Sequence, residues 1–166
     1  MRRSKEILPD KIKKGVAPAM ERLALLDGSQ LYAVLATAVD NQPYTSMVAY
    51  ALTPDGKGVT FITPRKSLKF RNMLRNRRVS LLIDSRTNTP KDCLDAESLT
   101  VIGDAIPVKR RERWNNLAQV LTRKHPNLRE VVDSAETRLI LVEISHCIHV
   151  TRFQTVSVSF APDRMG

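Results

Sequence analysis

The stretch that most constrains how this chain folds is residues 44–84, which predicts two strands, a basic helix and a third strand. Residues 44–51 alternate in the manner of a strand. The Thr-Pro-Asp-Gly sequence at 53–56 predicts a tight turn, because proline and glycine supply the backbone angles that turns require. Residues 59–63 and 79–84 are rich in β-branched and apolar side chains, which favours strands. We therefore expect a hairpin followed by a helix and a further strand.

The helix predicted between these strands begins among cations. Arg65, Lys66 and Lys69 lie at its start, where acidic residues are usual because the helix dipole is positive there. This arrangement costs stability unless an anion joins it. Free backbone N–H groups, the hydroxyl of Ser67 and a lysine are together typical of a phosphate site. A solvated basic helix face would produce the same run of residues, so both interpretations stay open at this point.

The same helix has two faces. Its apolar positions are expected to pack on a sheet, and its polar positions to form a stripe that faces a ligand. The apolar positions are Phe70, Met73 and Leu74, and the polar stripe is Arg65, Lys69, Asn72 and Asn76.

Several short motifs follow one another in order from residue 35 to residue 105 and onwards to Phe153-Gln154. They are Leu35-Ala36-Thr37, Asn41-Gln42-Pro43-Tyr44, Ser46-Met47-Val48, Phe61-Ile62-Thr63, Ser67-Leu68-Lys69-Phe70-Arg71-Asn72, Asn76-Arg77-Arg78-Val79-Ser80-Leu81-Leu82 and Leu99-Thr100-Val101-Ile102-Gly103-Asp104-Ala105. Their order and spacing resemble the pyridoxamine 5'-phosphate oxidase-like family of FMN-binding split barrels, over about residues 20 to 155. The resemblance implies a mainly β fold, a six-stranded antiparallel split barrel with flanking helices.

The resemblance also implies an FMN site with two parts. Ser67 and Lys69 match the family's phosphate-binding motif, and Thr63 matches a position that reaches the same phosphate. Residues 46–49 match the strand whose backbone meets the flavin ring edge, although a plain core strand would explain them too, and Ser98 matches a contact from a later strand. The expected cofactor-binding residues are Ser46, Met47, Val48, Ala49, Ile62, Thr63, Arg65, Lys66, Ser67, Lys69 and Ser98.

Three positions depart from the true pyridoxamine phosphate oxidases. Leu68 stands where those enzymes carry an arginine beside the lysine, and Ser46 and Ala51 replace the arginine and lysine that bracket their flavin strand. Their C-terminal substrate-binding tryptophan and arginine motifs have no counterpart here. We therefore expect a flavin-dependent oxidoreductase of another substrate, with no catalytic residue assigned.

The resemblance implies a homodimer with the flavin at its interface and a small-molecule redox substrate. Three alternatives stay open: a deazaflavin (F420) reductase with the same fold, a haem-handling or cofactor-binding protein without turnover, and a nucleic-acid binder. The last would explain the formal net charge of +10. However, aromatic residues make up only 5% of the chain, so platforms for stacking bases are scarce.

The length of 166 residues suits one domain, here residues 17–166, preceded by a basic arm at 1–16. Cys93 and Cys147 lie far apart and form no CxxC motif, so neither a disulfide framework nor a zinc site is indicated. His146 and His149 flank Cys147 without a carboxylate at ligand spacing, so we expect no metal site there. The resemblance leaves open that one or two of the histidines bind haem iron, since some similar split barrels handle haem. No signal-peptide pattern or membrane-length apolar run is present, which predicts a cytoplasmic protein that does not bind membranes.

The remaining elements are expected from their spacing. They are helices at 18–26 and 110–125, a helical turn at 128–132, an irregular segment at 85–97, and strands at 30–40, 98–108, 138–146 and 149–158. Gly103 interrupts the strand at 98–108, which predicts a bulge or a close approach of two backbones.

Overall fold

The computed structural model describes residues 19–151 and 155–161, so the predicted basic arm at 1–16 lies outside the described residues. The strands are β1 (Tyr32–Val39), β2 (Gln42–Leu52), β3 (Gly58–Pro64), β4 (Arg78–Asp84), β5 (Ser98–Pro107), β6 (Thr137–Thr151) and β7 (Thr155–Phe160). The helices are α1 (Ala19–Ser29), α2 (Leu68–Arg75), α3 (Asp92–Asp95), α4 (Glu112–Lys124) and α5 (Arg129–Asp133), with a 3-10 turn at Pro126–Leu128. No helix in these described ranges is both long and apolar enough to cross a membrane.

Six strands close into an antiparallel barrel. Their order is β3-β2-β1-β4-β5-β6, and β6 returns to pair with β3. The first half of β6, from Thr137 to Glu143, pairs with β3. Its second half, from His146 to Thr151, pairs with β7, which extends the sheet beyond the barrel. The expected mainly β fold, a six-stranded antiparallel barrel with flanking helices, is confirmed.

The barrel is split between β2 and β3. These two strands pair only from Tyr50 to Leu52 on β2 and from Val59 to Phe61 on β3, within the described chain. Before Tyr50, β2 is paired with β1. After Phe61, β3 continues along β6. The two strands therefore diverge and leave a gap between residues 42–49 and residues 62–64.

Helices α1 and α2 reach opposite ends of β2. The Asp27 carboxylate, at the end of α1, accepts a hydrogen bond from the Leu52 N–H at 3.0 Å. Residue Asn72 of α2 connects through Thr37 to the Tyr44 carbonyl near the start of β2. Both helices contribute to one apolar core with the strands, and its fully buried members include Leu23, Leu35, Phe61, Met73 and Leu81. Burial of such side chains is the main stabilising contribution to a fold of this kind.

Two strands were expected at 138–146 and 149–158, and two are present, but the expected break between residues 146 and 149 is wrong. β6 runs without a break from Thr137 to Thr151, with a bulge near that position, and β7 follows from Thr155 to Phe160. Ile102 faces His146 and Gly103 faces Ile144, which leaves Ser145 as the extra residue. The expectation for Gly103 is confirmed, since a Cβ at this position would overlap the carbonyl oxygen of Glu143.

Candidate functional site

A cavity of about 290 Å³ lies in the split. It brings together six of the cofactor-binding residues expected from the sequence, namely Met47, Val48, Ala49, Ile62, Thr63 and Lys69. Its remaining lining comes from Pro64, Leu128, Val131 and Thr137. The divergence of β2 and β3 therefore creates the concave space that a cofactor requires.

One side of this cavity is the open edge of β2. Val48 is buried in the core, whereas Met47 is 68% exposed at the rim. Alternate residues of an antiparallel strand direct their N–H and C=O groups to opposite edges. Since β1 occupies one edge of residues 42–49, the other edge turns unpaired backbone donors and acceptors toward the split.

Thr63 and Lys69 line the cavity where β3 leads into α2, and Ser67 lies beside Thr63 without lining the cavity itself. Thr63 is almost fully buried, and its Oγ1 lies 2.8 Å from the Oγ of Ser67. Ser67 is the N-cap of α2 and accepts a hydrogen bond from the Phe70 N–H at 3.2 Å. The N–H groups of Leu68 and Lys69 have no hydrogen-bond partner in the described part of the chain. The start of α2 therefore offers free donors at the positive pole of the helix.

Lys69 adds a positive charge at the same end. Its side chain is half-buried and lines the cavity, and no described residue forms an ion pair with it. The first turn of α2 contains no acidic residue. An unpaired lysine, free N–H groups and hydroxyls are together the kind of donor set that is typical of anion sites.

Arg65 and Lys66, two cations that were also expected to bind the cofactor, lie outside the cavity. Arg65 donates to the Glu136 carboxylate at 2.7 Å, and both side chains are exposed. Lys66 is exposed on the turn between β3 and α2. Neither residue lines the cavity. Their charges act at a longer range than that of Lys69.

Ser46 and Ser98 are separated by the fold. The Ser46 Oγ is buried on β2 without a hydrogen-bond partner among the described atoms. Ser98 begins β5, opposite Asp84 and Val150, and lines a different surface cavity of about 380 Å³. Within one chain, Ser98 is therefore not brought to the split. Part of the irregular segment at 85–97, including α3, borders the same second cavity.

Two residues of the polar stripe expected on α2 form hydrogen bonds to β1 instead of facing the cavity. Asn72 is buried and donates from Nδ2 to the Thr37 Oγ1 at 3.0 Å, and Asn76 donates to the Ala38 carbonyl at 2.8 Å. For these two residues the expectation was wrong, because β1 offers them unpaired oxygens. They hold α2 against β1 and thereby fix the position of Lys69.

Sequence reasoning missed the far wall of the cavity, which is the turn and helix at 126–133. Leu128 and Val131 line the cavity from this segment. The Thr137 hydroxyl donates to the Val131 carbonyl at 2.6 Å. Arg110 donates to the Val132 carbonyl at 3.3 Å while its guanidinium lies 4.3 Å from the centre of the Trp114 ring. A helical turn was expected here, but its position depends on the closure of β3 against β6.

The histidines lie away from the split. His125 and His146 are buried and contact the Tyr50 carbonyl at 2.9 Å and the Ser145 hydroxyl at 3.0 Å. His149 contacts the Glu97 carboxylate at 2.7 Å. None of the three lines the cavity. Within the described ranges, no group of three or more His, Cys, Asp or Glu side chains is arranged to hold a metal ion.

Glu97 links α1 to β6. It accepts hydrogen bonds from Arg22 on α1 and forms the contact with His149 on β6. Burial raises the pKa of the Glu97 carboxyl, but the hydrogen bonds from Arg22 and His149 outweigh burial and lower its pKa overall. This carboxylate is therefore charged in the folded protein. Nearby, burial raises the pKa of the Cys147 thiol to about 12, which keeps that thiol protonated.

Larger cavities also lie elsewhere in the described structure. One of about 400 Å³ lies between the β2–β3 hairpin and α4, where Arg113 and Glu143 are 3.6 Å apart. Another of about 490 Å³ lies between α4 and α5. In the described structure, it is the cavity in the split that combines an unpaired lysine with free N–H groups at a helix start.

Known families and structures agree with this architecture. The family model described as pyridoxamine 5'-phosphate oxidase matches residues 20–150. None of the curated proteins matches the sequence.

Three solved structures share the fold. A haem-binding protein from Mycobacterium smegmatis has a TM-score of 0.77 and 16% identity, over 87% of this chain and 59% of that one. The haem storage protein HutZ from Vibrio cholerae has a TM-score of 0.65 and 15% identity, over 77% and 91%. An FAD-binding protein from Mesorhizobium loti has a TM-score of 0.64 and 18% identity, over 80% and 94%. This chain thus spans about three fifths of the Mycobacterium protein.

Proposed function

We propose that this chain, which belongs to the pyridoxamine 5'-phosphate oxidase family, binds FMN in the split between β2 and β3 and acts as a flavin-dependent oxidoreductase. The observation that carries the proposal is the anion site at the start of α2. Thr63 and Lys69 line the cavity, and the Ser67 hydroxyl lies 2.8 Å from that of Thr63. The N–H groups of Leu68 and Lys69 have no hydrogen-bond partner among the described residues at this start of α2. A terminal phosphate monoester fits this donor set.

The rest of the cavity suits a flat heteroaromatic ring. The ring of FMN presents donors and acceptors along its pyrimidine edge, and the open edge of β2 offers complementary backbone groups. Ile62, Leu128 and Val131 supply an apolar wall for the body of the ring. A ligand with a phosphate at one end and a ring at the other would therefore satisfy both parts of the site.

The side chains favour FMN over haem at this site. Haem iron takes an axial ligand such as histidine, cysteine, methionine or tyrosine. The three histidines lie elsewhere, and Met47 is the one sulfur-bearing side chain among the residues that line the cavity. Haem-binding proteins share the fold, so haem is kept as an outcome of the test below. The anion site does not separate FMN from F420, which also carries phosphate.

We further propose that the active form is a homodimer. The cavity of about 290 Å³ is near the lower limit of ligand pockets, which is roughly 300 Å³. Met47 and Val131, which line the cavity, are 68% and 47% exposed, and exposed apolar side chains beside a cavity are typical of interaction surfaces. A second copy placed over them would enlarge and close the site. Sedimentation equilibrium should give twice the chain mass, whereas a monomer that binds FMN tightly would contradict this part.

When bound, FMN would supply the redox chemistry. The chain's own residues would hold and orient the cofactor, with Lys69 and Ser67 at the phosphate and the β2 backbone at the ring edge. Leu128 and Val131 would exclude water from the ring. Lys69 is the one ionisable side chain among the residues that line the cavity. No proton donor for a small-molecule substrate is therefore assigned on this chain.

The identity of the cofactor tests the proposal. The protein should be purified with its cofactor, and the released small molecule should be identified by mass spectrometry beside an absorbance spectrum. FMN and a yellow flavin spectrum are the expected result. Haem with a Soret band, or F420, would overturn the FMN assignment. A colourless protein that also fails to bind added FMN would overturn the flavoprotein proposal altogether.

A further inference from the structure

The outward side of α2 and its flanks form a strongly basic surface. Between residues 65 and 78 the chain has seven cations and no acidic residue. The cations are Arg65, Lys66, Lys69, Arg71, Arg75, Arg77 and Arg78. Such a density of one charge on a short segment is unfavourable unless anions lie nearby.

Few of these charges are neutralised by the fold. Arg65 pairs with Glu136 at 2.7 Å, and Arg75 pairs with Asp40 at 2.9 Å, both on the exposed surface. Asp104 lies opposite Arg78 in the β4–β5 register. Among the described residues, no ion pair within 4.0 Å involves Arg71, Arg77 or Arg78, and all three are exposed.

Exposed leucines lie among these cations. Phe70, Asn72 and Met73 form the buried side of α2. Leu68 and Leu74 are 43% and 60% exposed on its outward side. We define the α2 outer face by the exposed residues of the helix and by Arg78, the exposed first residue of β4: Leu68, Arg71, Leu74, Arg75 and Arg78. A mixture of arginine with exposed apolar side chains is typical of protein interfaces.

We propose that the α2 outer face docks an acidic protein surface that carries carboxylates around an apolar patch. Charge complementarity selects this occupant, because the arginines need carboxylates and the leucines need apolar contact. A second copy of the same face is excluded, since arginines would meet arginines across the interface. The surface is independent of which cofactor the split binds.

Other anionic partners fit this face less well. It has no aromatic side chain on which a nucleic acid base could stack. Its helix spans 8 residues and exposes two leucines, which is little apolar area for insertion into a membrane surface. Because Lys69 belongs to the same helix, a docked protein would lie beside the cavity in the split.

Binding of acidic polymers tests the proposal on the full chain. The probes are a labelled random copolymer of glutamate and tyrosine, poly-glutamate of equal length, a DNA duplex of equal charge, and vesicles that contain phosphatidylserine. The variant Arg71→Glu/Arg78→Glu removes charge from the α2 outer face. The matched control Arg111→Glu/Arg123→Glu makes the same change in net charge at exposed positions on and next to α4. A third variant, Leu68→Ser/Leu74→Ser, removes the apolar part.

The proposal predicts that the copolymer binds more tightly than poly-glutamate and that Arg71→Glu/Arg78→Glu weakens this binding by about tenfold or more. The control variant should weaken binding by less than about threefold. Leu68→Ser/Leu74→Ser should abolish the preference for the copolymer over poly-glutamate. Equal losses in the two charge variants would overturn the proposal, because net charge alone would then explain binding. Tighter binding of the duplex or the vesicles than of the copolymer would overturn it in favour of nucleic acid or membrane. Each variant must unfold at a temperature close to that of the parent.

Discussion

Replacing Lys69 by alanine should weaken FMN binding through the loss of one contact to the phosphate. A charge-assisted hydrogen bond of this kind is worth about 1.5–3 kcal/mol when fully desolvated. Lys69 is half-buried, so we take the lower part of that range, about 1.5–2 kcal/mol. Since about 1.4 kcal/mol corresponds to a tenfold change, the dissociation constant should rise roughly 10- to 30-fold.

Lys69→Ala isolates the phosphate contact better than Ser67→Ala does, because Ser67 also caps the helix. Ser67 caps α2 through the Phe70 N–H, so Ser67→Ala would also destabilise the helix by about 1 kcal/mol. Lys69→Ala removes a charge without removing a cap. Arg71→Ala is the matched control, because it removes one positive charge from the exposed side of the same helix.

The assay is a titration followed by the quenching of flavin fluorescence, at fixed ionic strength, with FMN and with riboflavin. Riboflavin lacks the phosphate, so Lys69→Ala should leave its affinity unchanged while FMN affinity falls. Arg71→Ala should change both affinities by less than about threefold. Equal effects of the two substitutions on FMN, or an equal effect of Lys69→Ala on both ligands, would refute the phosphate site.

Three further predictions concern the scaffold. Glu97→Gln should lower the free energy of unfolding at pH 7 by about 1–3 kcal/mol. Because the pKa of Glu97 is lowered in the fold, the stabilisation by its carboxylate is present above about pH 4.5 and is lost as the pH falls. The free energy of unfolding in urea should therefore depend less on pH in the variant than in the parent. Gly103→Ala should destabilise by more than about 3 kcal/mol or prevent folding, since its Cβ would overlap a backbone oxygen. In the same melts Gly28→Ala should stabilise by about 0.5–1 kcal/mol, because Gly28 lies within α1 and no atom is within 4 Å of the new Cβ. Arg110→Ala should loosen α5 and speed FMN release in stopped-flow measurements, while Lys109→Ala should not. Equal release rates would show that Arg110 does not hold α5 against the bound flavin.

The parts of the fold that depend on local sequence were predictable. The turn at 53–56 and the basic helix each follow from the backbone needs of a few neighbouring residues, and Gly103 marks the place of an irregularity in its strand. The unbroken β6 was not predictable in this way. Its bulge at Ser145 depends on pairing with β5, which lies some 40 residues earlier in the chain.

The candidate site was predictable only in part for the same reason. The cations at the start of α2 are visible in the sequence, and the split then places Lys69 beside residues 47–49. The far wall at Leu128 and Val131 comes to the cavity through long-range closure of β3 against β6. The role of Asn72 was mistaken because helical spacing does not tell which face meets a strand and which meets a ligand.

Chemical-shift mapping of the ¹⁵N-labelled protein during an FMN titration locates the bound flavin directly. FMN bound in the split should produce its largest amide shifts at residues 47–49 of β2 and at Ser67, Leu68 and Lys69. Shifts centred instead on β6 near His149, or on the cavity beside Arg113 and Glu143, would contradict binding in the split.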